Sequence, residues 1–113
     1  MDNLILMRGD THNFKFQRLD NNGNPILSPA EKVYFTMKNS TGTIEPVLQK
    51  TIEEMTFDEN GFYHFTIEPD DTNNLDPRAF VYDVEVINGD YKQTISKGSV
   101  TIIADVTIPA NEV

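Results

Sequence analysis

The sequence predicts an all-β fold, an antiparallel β-sandwich of seven or eight strands on an immunoglobulin-like or jelly-roll-like plan. Three observations predict it. Apolar and polar residues alternate with period two over short runs, clusters of Asn, Asp and Gly separate the runs, and helical periodicity is nearly absent. Short strands punctuated by turns about every ten residues fit a sandwich or small barrel better than an α/β plan.

The elements follow in order. Leu4-Ile5-Leu6-Met7 is a four-residue apolar run between Asp2 and Arg8-Gly9-Asp10. That is too short, and wrongly flanked, for the roughly 7 to 15 apolar residues of a signal peptide. Residues 12–19 set Phe14 and Phe16 on one face and Asn13, Lys15 and Gln17 on the other, and Asp20-Asn21-Asn22-Gly23-Asn24-Pro25 then turns the chain. Residues 32–38 alternate Val33, Phe35 and Met37 against Tyr34, Thr36 and Lys38, ending at Asn39-Ser40-Thr41-Gly42. A weaker strand is expected over residues 47–56. After the turn Asp58-Glu59-Asn60-Gly61, Tyr63, Phe65 and Ile67 point one way and His64 and Thr66 the other. Pro69 closes that strand, residues 70–75 suit a single helical turn, and Pro77 forbids its continuation. The clearest strand sets Phe80, Tyr82, Val84 and Val86 against Val81, Asp83, Glu85 and Ile87, and Asn88-Gly89-Asp90 is a hairpin signal leading into residues 91–96. Lys97-Gly98 interrupts, and a last strand over 99–103 is expected to run on through Val106 to Ile108. This parity places Phe35, Phe65, Tyr82 and Val84 in the core and Lys38, Thr66, Asp83 and Glu85 outside.

The chain of 113 residues is the length of one domain, 1–113, and its 38% hydrophobic content suffices for a core. Nine basic and eighteen acidic residues give a net charge of −9, which disfavours nucleic acid and anionic membranes as partners. Residues 1–57 carry seven acids and six bases, and residues 58–113 carry eleven and three, so the second half is the acidic one. The absence of cysteine excludes disulfides, thiolate catalysis and Cys-based zinc sites. No segment approaches the roughly 18 apolar residues of a membrane span.

Several short motifs suggest chemistry that their context does not support. Arg8-Gly9-Asp10 spells an adhesion tripeptide, yet glycine there serves a turn between the first two strands. Asn39-Ser40-Thr41 is a formal glycosylation sequon in what reads as a turn. Asp20, Asn22 and Asn24 place oxygens at alternate positions like a calcium-loop fragment, but the closing glutamate is missing. Asp70, Asp71 and Asp76 form a second acidic cluster, read as a solvated, helix-capping loop. His12 and His64 show no metal-ligand spacing, and no Gly-x-Ser-x-Gly elbow occurs. No catalytic residue, metal site or cofactor is expected, and the chain reads as a non-enzyme.

Taken in order, Met7-Arg8-Gly9-Asp10-Thr11, Phe14-Lys15-Phe16, the turn from Asp20 to Ile26 and the strand 33–38 resemble a group of phage and prophage proteins. So do Ile67-Glu68-Pro69-Asp70-Asp71-Thr72, the strand 81–86, Gly89, Thr94-Ile95-Ser96-Lys97-Gly98, and Ile102 through Asp105-Val106-Thr107. The group comprises small β-sandwich virion or baseplate-type proteins of tailed phages of Gram-positive bacteria, including the N-terminal domain of upper baseplate proteins. The resemblance implies a structural module of a tail or baseplate, made in the cytoplasm and carried in the virion. It also implies protein–protein contacts with other virion subunits and no catalytic residues. The alternative is a bacterial immunoglobulin-like surface or carbohydrate-binding domain. Against a stacking platform for sugars, the chain has no tryptophan, and its outward tyrosines, Tyr34 and Tyr91, are few.

The two chain ends are the expected assembly edge, because unpaired strand edges template other chains. Leu4, Ile5, Leu6 and Met7 form one candidate and Val100, Ile102 and Ile103 the other, with Val106 and Ile108 beyond. A homo-oligomer that persists in high salt is the expectation.

Overall fold

The structure, a computed structural model, describes residues 3–105, so the expected extension through residues 106–108 lies outside the described residues. The strands are β1 Leu4–Met7, β2 His12–Gln17, β3 Lys32–Lys38, β4 Leu48–Thr51, β5 Thr56–Phe57, β6 Phe62–Ile67, β7 Ala79–Asn88 and β8 Tyr91–Ile103. One helical turn, α1 Pro69–Thr72, joins β6 to β7. The strands form two sheets, ordered β1-β8-β7-β3-β4 and β2-β6-β5. The fold is all-β, as the alternation predicts.

The sheets share one core. Val33, Phe35 and Met37 of β3, Tyr63, Phe65 and Ile67 of β6, and Phe80, Tyr82, Val84 and Val86 of β7 are all buried. Phe35 and Phe65 meet between the sheets with ring centroids 4.9 Å apart, and Phe16 stacks on Tyr63 at 5.1 Å. Tyr63 satisfies its hydroxyl inside the core by accepting the Ala30 N–H at 2.7 Å. All four expected core residues are inside. Lys38, Thr66, Asp83 and Glu85 lie on the outer faces, partly exposed.

Three expectations are corrected. Pairing is not antiparallel throughout: β1 runs parallel to β8, with Leu4 opposite Val100 and Met7 opposite Ile103, so the larger sheet is mixed. β1 passes through a turn into β2 of the other sheet, and with no hairpin joining it to β8, nothing forces the two to run in opposite directions. The weak strand over 47–56 is two short strands, β4 and β5, split by a 3-10 turn at Ile52–Glu54 in which the chain crosses between sheets. The interruption at Lys97-Gly98 is absent, for β8 is one strand of 13 residues. Its irregularity lies earlier, where Val84 faces Ser96 but Glu85 faces Thr94, leaving Ile95 as a bulge.

Lys50 supports the frame in a way its sequence does not announce. It points inward from edge strand β4, opposite Phe35, and its ammonium lies 2.8 Å from Asp71 of α1. Asp71 also accepts the Glu68 N–H at 2.7 Å, capping the helical turn. An inward charge on an edge strand also discourages further pairing there. In the turn between β5 and β6, Gly61 adopts φ +85°, and a Cβ there would sit 2.7 Å from the Ile26 carbonyl oxygen.

Candidate functional site

The structure brings the two expected chain-end segments together, because β1 and the end of β8 pair with each other. It also divides their residues. Leu6, Val100 and Ile102 are 2%, 0% and 1% exposed and belong to the core. Ile5 is 70% and Ile103 41% exposed, while Leu4 and Met7 are partly buried. Ile5, Met7 and Ile103 therefore form the apolar outer patch of this edge.

Among the described residues β1 is the last strand of its sheet, and the backbone geometry fixes which groups it offers. The Arg8 N–H donates to Ile103 O, and backbone groups alternate sides along a strand, so the amide and carbonyl of Ile5 and Met7 face away from β8. The His12 Nε2–H donates to Met7 O at 3.1 Å and closes one end of the edge. On the paired side, the Asn3 side chain ties the start of β1 to β8 by accepting hydrogen bonds from Ser99 N–H and Oγ–H. Among the described residues, the part of this edge without a backbone partner is a stretch centred on Ile5.

Other candidate residues have structural employment. Arg8 pairs with Asp105 at 3.2 Å, and the Gly9 N–H donates to the buried Thr72 hydroxyl at 2.8 Å, so the tripeptide is tied to α1. Asp20 Oδ1 accepts the Asn22 and Asn24 N–H groups at 2.8 and 2.9 Å, which occupies the calcium-like fragment with its own turn. Asn39 of the sequon accepts from the Arg78 guanidinium. In the second acidic cluster, Asp71 pairs with Lys50 and Asp70 accepts from the Asn73 side chain. The His64 Nε2–H donates to Asp58 Oδ2 at 2.7 Å. That bond, followed by the Phe62 N–H, holds the Asp58 carboxyl below its ordinary value. Among the described residues no group of three or more His, Asp or Glu side chains is placed to hold a metal ion.

A second surface was not singled out by sequence. The outer face of β4-β3-β7-β8 lines three adjoining recesses of about 310, 460 and 470 Å³ that share Asp83. Gln49, Thr36, Asp83 and Lys97 stand in one row across the four strands, with Tyr34 opposite Glu85 in the next. Partial burial, then the neighbouring Glu85 charge, raises the Asp83 carboxyl above its ordinary value. The outward parity of these residues is legible, but their convergence depends on a strand order that is not.

The geometry defines an all-β protein of two sheets around a common core. No family model matches the chain, and no curated protein matches it. Solved structures do, among them the endo-β-1,4-mannanase from Thermotoga petrophila, at a TM-score of 0.62 and 11% identity. The alignment covers 93% of this chain and 18% of that one, so the chain spans under a fifth of the enzyme's length. The likeness is one of fold.

Proposed function

We propose that the chain is a non-enzymatic assembly module of a phage or prophage tail or baseplate, acting through protein–protein contacts at the β1 edge. The observation that carries it is the open backbone of Ile5 beside an apolar patch, with Ile5 70% and Ile103 41% exposed. The sequence resemblance to small virion proteins supplies the setting: synthesis in the cytoplasm and incorporation into the particle. The order β1-β8-β7-β3-β4 against β2-β6-β5 supports an immunoglobulin-like sandwich, since removing β1 leaves two sheets of four and three strands in the arrangement of that fold.

A second copy of the chain is the simplest partner, because an edge strand can pair with its symmetry mate about a two-fold axis. Apolar pairing survives salt, whereas association through the acidic half is screened beyond about 8 Å at 0.15 M ionic strength. Sedimentation velocity across protein concentration, at low and high salt, tests this. The expected result is a concentration-dependent dimer that persists in 1 M salt and is lost in Ile5→Lys. Leu6 is core, so deleting the strand would confound unfolding with dissociation, whereas the Ile5 side chain stands outside. A monomer at every concentration and salt would remove self-assembly at this edge.

A further inference from the structure

The recess on the outer face of the five-stranded sheet holds charged groups that act on one another through space, Lys38 and Lys92 on Asp83 among them, without Asp83 closing a contact with a lysine. Asp83 has Lys97 directly opposite on β8, and Lys38 lies one diagonal step away on β3. Opposite charges so placed usually pair. Among the described residues, however, no ion pair or side-chain hydrogen bond joins Asp83 to either lysine, or engages any of the three elsewhere. The contrast with the rest of the protein is specific. Arg8, Lys50 and Lys92 form ion pairs, Arg18 and Arg78 donate hydrogen bonds, and Lys15 lies over the Phe62 ring. Among the described residues, Lys32, Lys38 and Lys97 are the basic residues with no such contact, and two of those three flank Asp83.

Around these groups the recess alternates donors and acceptors. The Gln49 amide donates to the Thr36 hydroxyl at 3.1 Å, Tyr34 stands opposite Glu85, and Ile44 and Pro46 form an apolar wall where the β3–β4 connection rises beside the sheet. Asp83 and Glu85 are balanced by Lys38, Lys92 and Lys97, so no strong field of one sign selects an ion. The row from Gln49 to Lys97 crosses four strands, about 14 Å at the usual inter-strand spacing. An elongated, neutral ligand rich in hydroxyls satisfies every one of these conditions. The hydroxyls of such a ligand can donate to Asp83 and accept from Lys38 and Lys97, and an apolar ring face can lie against Tyr34 or Pro46.

We propose that this face is a binding site for a neutral oligosaccharide, with Asp83 as the central acceptor, Lys38 and Lys97 as donors and Tyr34 as the packing surface. It is independent of the β1 edge, whose failure would leave it standing. The missing tryptophan argues against an open aromatic platform; in a polar recess the hydrogen bonds carry recognition.

The test is an amide NMR titration of the labelled protein with cellohexaose, mannohexaose and maltohexaose at millimolar concentration. The expected result is a response to at least one of them, centred on Tyr34, Thr36, Lys38, Gln49, Asp83 and Lys97. Asp83→Asn should weaken that binding tenfold or more while melting no lower than the wild type, which separates lost recognition from lost structure. Tyr34→Leu should weaken it, and Thr66→Ala on the other sheet should leave it unchanged. Silence with all three probes, shifts centred elsewhere, full binding by Asp83→Asn, or a response to hexalysine in their place would each overturn the proposal.

Discussion

Along β7 the inward side chains Phe80, Tyr82, Val84 and Val86 are buried, whereas Val81, Asp83 and Glu85, one position out of step, stand half-buried on the outer face. The inner set belongs to the buried core that the two sheets share. The outer set includes a carboxylate that partial burial and the neighbouring Glu85 charge disfavour by more than Lys38 and Lys92 offset. One strand thus carries two kinds of residue, those that hold the fold and those that the fold holds in place. The difference teaches that stability and availability are set by parity along the same backbone.

Substitutions on the two faces should therefore differ in size and in sign. Phe35→Ala or Phe65→Ala empties the contact between the sheets and should cost about 3 to 5 kcal/mol in urea melts. Lys50→Ala breaks the inward ion pair with Asp71 and should cost about 3 kcal/mol, the low end for a buried pair. A smaller effect, about 2 kcal/mol, is expected for Gly61→Ala, which places a side chain at positive φ against the Ile26 carbonyl. If Gly61→Ala proved harmless, the tight packing of that turn against residue 26 would be wrong.

On the outer face the sign reverses. Asp83→Asn should raise stability at neutral pH, within about 0.5 kcal/mol as for other surface changes. The pH dependence follows from linkage. A carboxyl whose value is raised by folding binds its proton more readily in the folded state, so the wild type loses stability as pH rises from the ordinary 3.8 through the raised value. The advantage of Asp83→Asn should accordingly vanish below that range. An advantage that persisted at pH 3 would have some other origin. Glu85→Ala, beside it and exposed to Lys92, should change stability by less than about 0.5 kcal/mol.

How much of this was legible in the sequence varies by region for physical reasons. β3, β6 and β7 are buried on one face only and bounded by turn residues, so their alternation reads directly as burial. In β8 the bulge at Ile95 shifts the phase of alternation within a single strand, and Lys97-Gly98 then resembles a break. Residues 47–57 cross between sheets through a 3-10 turn, and such a crossing carries no period. The parallel partnership of Leu4–Met7 with Val100–Ile103 joins the two ends of the domain, and local residues do not encode so distant a pairing. The apolar character of those ends marks them as special, but only the register separates Leu6, Val100 and Ile102, which are core, from Ile5 and Ile103, which are surface. The recess around Asp83 was hidden for the same reason, since its residues come from four strands whose order is a property of the whole chain.

The assembly account rests on the open backbone of Ile5, and amide hydrogen exchange at that residue measures it most directly. Edge pairing predicts that protection of the Ile5 amide rises between about 10 μM and 1 mM protein, in 1 M salt as in dilute buffer, and does not rise at the same position in Ile5→Lys. Protection at Ile5 that stays constant over that range, while the buried amides of β7 remain protected, would contradict it.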